Sequence, residues 1–229
     1  MLKSFINEGF NLTETQINRF NKYYELLVEY NQKFNLTAIT EKDEVVYKHF
    51  IDSLYGVELF KCLKVLDIGS GGGFPAIPIK IMNENIHLTM MDATLKKCEF
   101  LKTVCRELGL ENVTVINGRA EEYAFKEGFR ESFDHVSARA VARLNILSEY
   151  CLPFVKVGGS FIAYKGDADE ELNEGKSAIK TLGGNVKNIV KKELLGAKRQ
   201  IIEIEKVFST PIKYPRSNGK IRKNPLWVS

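Results

Sequence analysis

The sequence predicts an open α/β fold, a mostly parallel sheet of seven strands preceded by a helical N-terminal lobe. Three observations predict it. From residue 64 onward, short apolar runs alternate with helical patterns of about 10 to 15 residues, as parallel strands and their crossover helices do. A glycine-rich turn, Gly69-Ser70-Gly71-Gly72-Gly73, directly follows the first apolar run. Ahead of it, residues 1–60 show helical periodicity throughout.

The elements follow in order. Thr13-Glu14-Thr15-Gln16 has the form of a capping box, with a threonine oxygen accepting from the N3 amide and a glutamine reaching back. Ile17, Phe20, Tyr24, Leu27, Tyr30 and Phe34 recur at spacings of three and four, one apolar stripe on a long helix. Glu41 to Phe60 repeats the helical pattern. The character changes at Leu63, and Lys64-Val65-Leu66-Asp67-Ile68 reads as a strand buried on both faces. His87 to Met91, ending at Asp92, is the second strand. Thr94 to Leu108 is a helix with Leu95, Cys98, Leu101, Val104, Cys105 and Leu108 on one face and Gly109 closing it. Val113 to Ile116 and Phe133 to Ser137 are the third and fourth strands, and Leu144 to Leu152 is helical. Pro153 and Gly158-Gly159 turn the chain into a fifth strand, Ser160 to Tyr164, followed by a helix from Asp167 to Leu182. Val186 to Leu194 and Gln200 to Val207 complete the sheet. The division expected is a helical lobe over 1–60, a core over 61–207 and a basic, irregular arm over 208–229, where Pro211, Pro215, Gly219 and Pro225 fall.

Composition narrows the class. A chain of 229 residues that is 44% hydrophobic can bury a sizeable core. No apolar run approaches the roughly 18 residues that span a bilayer. Met1 to Phe10 carries Lys3, Asn7 and Glu8 and has no apolar signal core, so a cytoplasmic protein without a membrane partner is expected. Cys62, Cys98, Cys105 and Cys151 form no Cys-x-x-Cys pair, and the histidines do not cluster near them. No metal site is expected, and a reducing compartment fits. A monomer is the expected state. Residues 186–229 hold eleven Lys or Arg against three Glu, a balance of +8 within a chain of +4 overall. Such a tail is either a solvated solubility device or a phosphate-binding arm, and charge alone does not choose.

The glycine turn carries the chemistry. Without Cβ atoms a backbone can approach a ligand closely, and in an open α/β sheet ligands bind at the carboxyl ends of the strands. A dinucleotide site wants Gly-x-Gly-x-x-Gly or Ala; counted from Gly69 the sixth position is Phe74, and only the late register from Gly71 to Ala76 passes. Asp67, Gly69, Gly71 and Gly73 instead match Asp-x-Gly-x-Gly-x-Gly, the pattern of S-adenosylmethionine proteins. An acidic residue there suits a ligand with a cationic amino group and would repel a pyrophosphate. Asp92, at the end of the second strand, can accept both ribose hydroxyls, or it is a solvated strand end. The fold class expected is therefore that of a Rossmann-like, S-adenosylmethionine-dependent methyltransferase, with S-adenosyl-L-methionine the cofactor expected.

The reacting group is read by elimination. After the fourth strand stands Asp134-His135-Val136-Ser137-Ala138-Arg139-Ala140, without the Pro-Pro box used on exocyclic amines. No cysteine lies between Cys105 and Cys151 to attack a pyrimidine ring carbon. A ring nitrogen with a free lone pair, such as guanine nitrogen-7, needs neither device. Arg119 and Arg139 lie near the ligand end of the sheet, either holding phosphate or a base edge or forming ordinary salt bridges.

At these residues the chain resembles the RsmG (GidB) methyltransferases. Tyr30-Asn31-Gln32-Lys33-Phe34-Asn35-Leu36-Thr37 is similar to the family's aromatic-Asn-x-x-Phe-Asn-Leu-Thr segment, with Tyr30 where members often have Trp. His49-Phe50-Ile51-Asp52-Ser53 resembles its His-x-x-Asp-Ser motif, and Gly73-Phe74-Pro75-Ala76-Ile77-Pro78 resembles its continuation of the glycine loop. Arg119-Ala120-Glu121, Ala138-Arg139-Ala140 and Tyr214-Pro215-Arg216 also fit. The resemblance implies methylation of guanine nitrogen-7 in small-subunit (16S) ribosomal RNA, at guanine 527 of the decoding region, on RNA or an assembly particle. It implies a cofactor site of Gly69, Phe74, Asp92, Ala93, Thr94, Ala120, Glu121 and Arg139, with Ala120 and Glu121 facing the adenine, and RNA contact by Arg119 and Arg139. The alternatives are a methyltransferase of the same fold acting on another substrate, an assembly factor without catalysis, and an NAD-dependent oxidoreductase.

Overall fold

The computed structural model describes residues 1–61 and 64–226, so Cys62 and Leu63 lie outside the described residues. The chain opens with α1 (Leu2–Asn7) and α2 (Glu14–Asn31). Thr13 caps α2 with both halves of the expected capping box. Helix α3 (Lys42–Val45) runs through a π-helical turn, Val46–Ile51, into α4 (Asp52–Leu54). The sheet then follows with its crossovers: β1 (Lys64–Ile68), α5 (Ala76–Met82), β2 (His87–Asp92), α6 (Leu95–Glu107), β3 (Val113–Asn117), α7 (Ala120–Tyr123), β4 (Phe133–Arg139), α8 (Leu144–Cys151), β5 (Val155–Lys165), α9 (Asp169–Thr181), β6 (Gly184–Leu194) and β7 (Ala197–Lys206). A last short helix, α10 (Asn218–Lys223), ends the described chain.

The seven strands form one sheet in the order β3-β2-β1-β4-β5-β7-β6. β1 to β5 pair in parallel, and β7 is antiparallel to both β5 and β6. The order reverses between β1 and β4, which opens a crevice beyond their carboxyl ends. The fold is the Rossmann-like one expected, with an antiparallel hairpin at one edge of the parallel sheet.

The N-terminal helices have no core separate from the sheet. Phe5, Phe20, Phe50 and Ile51 cluster with Val65, Ile77, Leu88 and Phe100. Fully burying one such side chain is worth about 1.5–3 kcal/mol. Helix α2 buries a wider face than the stripe expected: Tyr23 and Leu26 are buried beside Phe20 and Leu27. Gly109 closes α6 as expected, at φ +61°, with its N–H on the Arg106 carbonyl and the Leu110 N–H on the Cys105 carbonyl, a Schellman motif.

Two expectations need correction. Gly158-Gly159 does not turn the chain into β5; the strand starts at Val155 and bulges over these glycines, because its register to β4 jumps from Phe133↔Val155 to His135↔Ser160. The segment expected as an irregular arm folds back on the sheet and forms α10, with Tyr214 and Ile221 buried. The proline and glycine content masked this helix, and buried partners override propensity there.

Candidate active site

The loop after β1 is tied down from both sides. Gly69 and Ser70 donate backbone N–H groups to the Met91 carbonyl at 2.8 and 3.2 Å, and Gly73 donates to the Ser70 carbonyl at 2.7 Å. The Tyr23 hydroxyl on α2 donates to the Gly72 carbonyl. Gly73 has φ +94°, and a Cβ there would lie 2.6 Å from both the Tyr23 hydroxyl and Ile77; only glycine fits. At Gly71, φ +55°, a Cβ would meet only the Gly69 carbonyl oxygen, at 3.8 Å, so the protein leaves this position open. Helix α5 starts immediately after the loop. Pro75 is its N-cap and Pro78 lies in its first turn, where a missing N–H costs no helical bond.

A cleft of about 480 Å³ opens at the carboxyl ends of β1, β2 and β3. Gly69, Asp92, Ala93, Ala120 and Glu121, all named above as candidates, line it, together with Arg119, Ile68, Met91, Gly118, Val141 and Tyr150. Two further wall residues, Asn218 and Arg222, come from α10. The Asp92 carboxylate already holds backbone: Oδ2 accepts from the Gly71 N–H at 2.9 Å and Oδ1 from the Thr94 N–H at 2.8 Å. A carboxylate offers about four lone-pair sites, so it retains capacity for a ligand.

The remaining sequence candidates stand behind or beside this cleft. Asp67 is 1% exposed; its Oδ1 accepts from the Ser137 hydroxyl at 2.6 Å and its Oδ2 has no partner among the described residues. Burial pushes its carboxyl up to about 7. Phe74 is buried and stacks on His49 at 4.5 Å and Tyr23 at 5.4 Å, supporting the loop from beneath. Thr94 contributes its backbone N–H to Asp92. Arg139, at the end of β4, does not face the cleft walls and lies instead in a second cavity.

That second cavity, of about 730 Å³, is lined by Lys48, His49, Asp52, Arg139, Ala140, Tyr164, Lys165, Gly166, Arg199 and Ile201. Asp52 sits between two guanidinium groups: Oδ2 accepts from Arg139 Nη1 and Oδ1 from Arg199 Nε, both at 2.8 Å. Arg139 therefore makes the salt bridge offered as its alternative role and also lines a cavity. Its Nη2 donates to His49 Nδ1 at 3.2 Å. The same Nδ1 lies 3.2 Å from the Lys48 carbonyl, and Nε2 is 2.7 Å from Thr37 Oγ1, so the ring is held on both edges. Burial, then the Arg139 charge, holds the His49 imidazole down at about 3, so it stays neutral. The Asn31 side chain closes the network by accepting from the Leu36 and Thr37 N–H groups at 2.7 and 3.0 Å. On the far side the Tyr164 hydroxyl donates to the Ser53 carbonyl at 2.8 Å. The π-helical turn carries Lys48 and His49 into this cavity, and such turns occur often at functional sites.

Arg119 and Arg139 are thus not brought together; one borders each cavity. Arg119 is exposed and makes no ion pair among the described residues. Tyr23, Asp52 and Arg199 carried no signal by spacing, since Asp52 meets Arg139 and Arg199 across 87 and 147 residues.

A family model described as rRNA small subunit methyltransferase G (GidB) matches residues 16–202. The chain belongs to this family. Curated members carrying that same description are similar throughout: one from Clostridium tetani is 47% identical over 99% of this chain and 98% of its own length, and one from Brevibacillus brevis is 48% identical over 96% and 94%. Among solved structures, geranyl diphosphate C-methyltransferase from Streptomyces coelicolor A3(2), in complex with Mg2+, geranyl diphosphate and S-adenosyl-L-homocysteine, superposes with a TM-score of 0.52 at 11% identity, covering 68% of this chain and 78% of that one. That likeness speaks to the fold alone.

Proposed function

We propose that this protein transfers a methyl group from S-adenosyl-L-methionine to nitrogen-7 of a guanine in bacterial small-subunit (16S) ribosomal RNA, the resemblance pointing to guanine 527. The observation that carries this reading is the pair of cavities flanking the ends of β1 and β4 in a chain of this family.

The first cleft fits the cofactor. Its walls are apolar where a flat base would lie, at Ile68, Met91, Ala93 and Val141. Asp92 is placed to accept from ribose hydroxyls, and Glu121 is an acceptor for an exocyclic amine. Asp67, buried two residues before Gly69 and with Oδ2 unpartnered among the described residues, is the carboxyl available to the cofactor's cationic amino group once ionised. Bound S-adenosylmethionine supplies an electrophilic methyl group on a sulfonium.

The second cavity suits the target nucleotide. Three donor contacts hold Arg139, to Asp52, the Lys48 carbonyl and His49, leaving two of the five guanidinium N–H groups for a guanine edge or a phosphate. Lys48, Lys165 and Arg199 also border it, paired with Glu44, Glu171 and Asp52, and are the further cations a phosphate could engage. Guanine nitrogen-7 carries a free lone pair, so the site needs to orient it and exclude water rather than remove a proton. The catalytic roles assigned are positional: Arg139 orients the base and Arg119 meets the phosphate backbone at the mouth of the first cleft. The substrate places the protein in the cytoplasm, acting on RNA or an assembly particle.

The test is transfer of labelled methyl to small-subunit RNA from cells lacking the enzyme, followed by nuclease digestion and mass spectrometry. Label in 7-methylguanosine supports the reading. Absence of transfer to deproteinised RNA and to partly assembled particles alike refutes it.

A further inference from the structure

The basic C-terminal segment is stitched to the body by a series of clamps. Lys206 Nζ is fully buried and donates to the Leu152 and Val155 carbonyls and to Thr210 Oγ1, with Glu131 3.0 Å away. Glu131 also accepts from the Thr210 N–H at 2.6 Å. Arg130 donates to the carbonyls of Thr210, Pro211 and Tyr214. Glu149, 0% exposed on α8, accepts from the Arg216 N–H at 2.8 Å and from its guanidinium Nε and Nη2 at 2.9 and 2.6 Å. These contacts fix the start of α10, and Ile221 anchors it by full burial. Asn218 and Arg222 are spaced i, i+4, on one face of that turn, and both reach the wall of the first cleft.

The chemistry of that wall is specific. Asn218 Oδ1 accepts from the Tyr150 hydroxyl at 2.5 Å and from Arg222 Nε at 3.2 Å. Arginine can only donate, which fixes the amide with its oxygen on Arg222 and its Nδ2 as the remaining donor. The cleft therefore combines the Asn218 amide and the Arg222 guanidinium with Glu121, which only accepts when ionised. Adenine presents an amino donor and ring-nitrogen acceptors, the complementary set.

We propose that the C-terminal strap, residues 210–222, is a working part of the cofactor site, with Asn218 and Arg222 binding the adenine of S-adenosylmethionine. This rests on the reading of the first cleft as the cofactor site. Arg222 thereby separates from Lys220 and Lys223, which do not line the cleft.

The test is calorimetry of S-adenosylhomocysteine binding to the full chain, with ligand-free melting as a check on folding. Asn218→Ala and Arg222→Ala should each weaken binding about tenfold, the loss of a charge-assisted or buried hydrogen bond, with unchanged ligand-free melting. Lys220→Ala with Lys223→Ala should leave affinity unchanged. Trypsin cleavage at Lys220, Arg222 and Lys223 of the wild type should slow at saturating ligand. Wild-type binding without protection of the strap, with Asn218→Ala and Arg222→Ala binding as wild type does, overturns the proposal while leaving the cleft assignment standing. Absence of wild-type binding overturns both.

Discussion

The two cavities on either side of the β1–β4 boundary are built differently. The first is made of backbone: glycine turns, strand ends and one carboxylate, Asp92, that holds the loop in place. Its residues fall within the stretch 68–141 together with Tyr150 and the two strap residues. The second is made of side chains drawn from the π-helical turn, β4, β5 and β7, held by one shared carboxylate, Asp52. A backbone-built site can serve one cofactor across many substrates, whereas a side-chain-built site is where a particular substrate is chosen. Substitutions should therefore separate cofactor binding from transfer.

The sharpest separation is expected at Arg139. Arg139→Ala should lower methyl transfer by about 100-fold, the scale of removing an oriented charged donor, while the affinity for S-adenosylhomocysteine changes much less. A comparable fall in affinity would instead place Arg139 in the cofactor site. Gly71→Val tests the glycine loop, whose N–H at this position is held by Asp92 of the first cleft. The protein leaves room for its Cβ, but the left-handed backbone at φ +55° costs about 1–2 kcal/mol for an L-residue, and the added methyls enter the loop's open side. Calorimetry should show cofactor affinity reduced at least tenfold; unchanged affinity would remove the loop from the site. Asp52→Asn removes the charge shared by two arginines, and steady-state kinetics should show transfer reduced about tenfold with cofactor affinity intact.

How much of this was legible beforehand divides along the same line. The glycine turn, Asp92 and the five strands of the parallel half follow from local patterns, because strand periodicity and loop chemistry are set within a few residues. The capping box at Thr13 and the Gly109 closure of α6 are legible for the same reason. The second cavity was marked by His49, Asp52 and Ser53 only as a resemblance, since their roles depend on partners 87 to 147 residues away. Tyr23 was missed because α2 buries a broader face than a three-four stripe describes. The charge of the tail was legible as a number but not as a purpose. Lys187, Lys191, Lys198, Arg199, Lys206 and Arg216 all form ion pairs, five of them with acids outside residues 186–229. Much of the imbalance is thus intramolecular stitching.

A smaller effect sharpens the comparison through pH. The Asp67 carboxyl, raised by burial from its ordinary 3.8 to about 7, stays protonated in the ligand-free protein below that value. The folded state then binds more protons than the unfolded one between about 4 and 7, so this group's contribution to stability is present in acid and declines as pH rises through that window. A cationic amino group favours the ionised form, so cofactor affinity should strengthen several-fold from pH 6 to pH 8. Asp67→Asn should flatten both the stability slope and the affinity profile; an unaltered affinity profile would separate Asp67 from the ligand.

The central claim is that the cleft beyond β1, β2 and β3 seats an adenosyl cofactor. A crystal grown with S-adenosylhomocysteine tests it most directly. The account predicts density along Gly69, Ala93 and Glu121, with the ribose hydroxyls on Asp92. Density confined to the Arg139 cavity, or none at either site at saturating ligand, would contradict it.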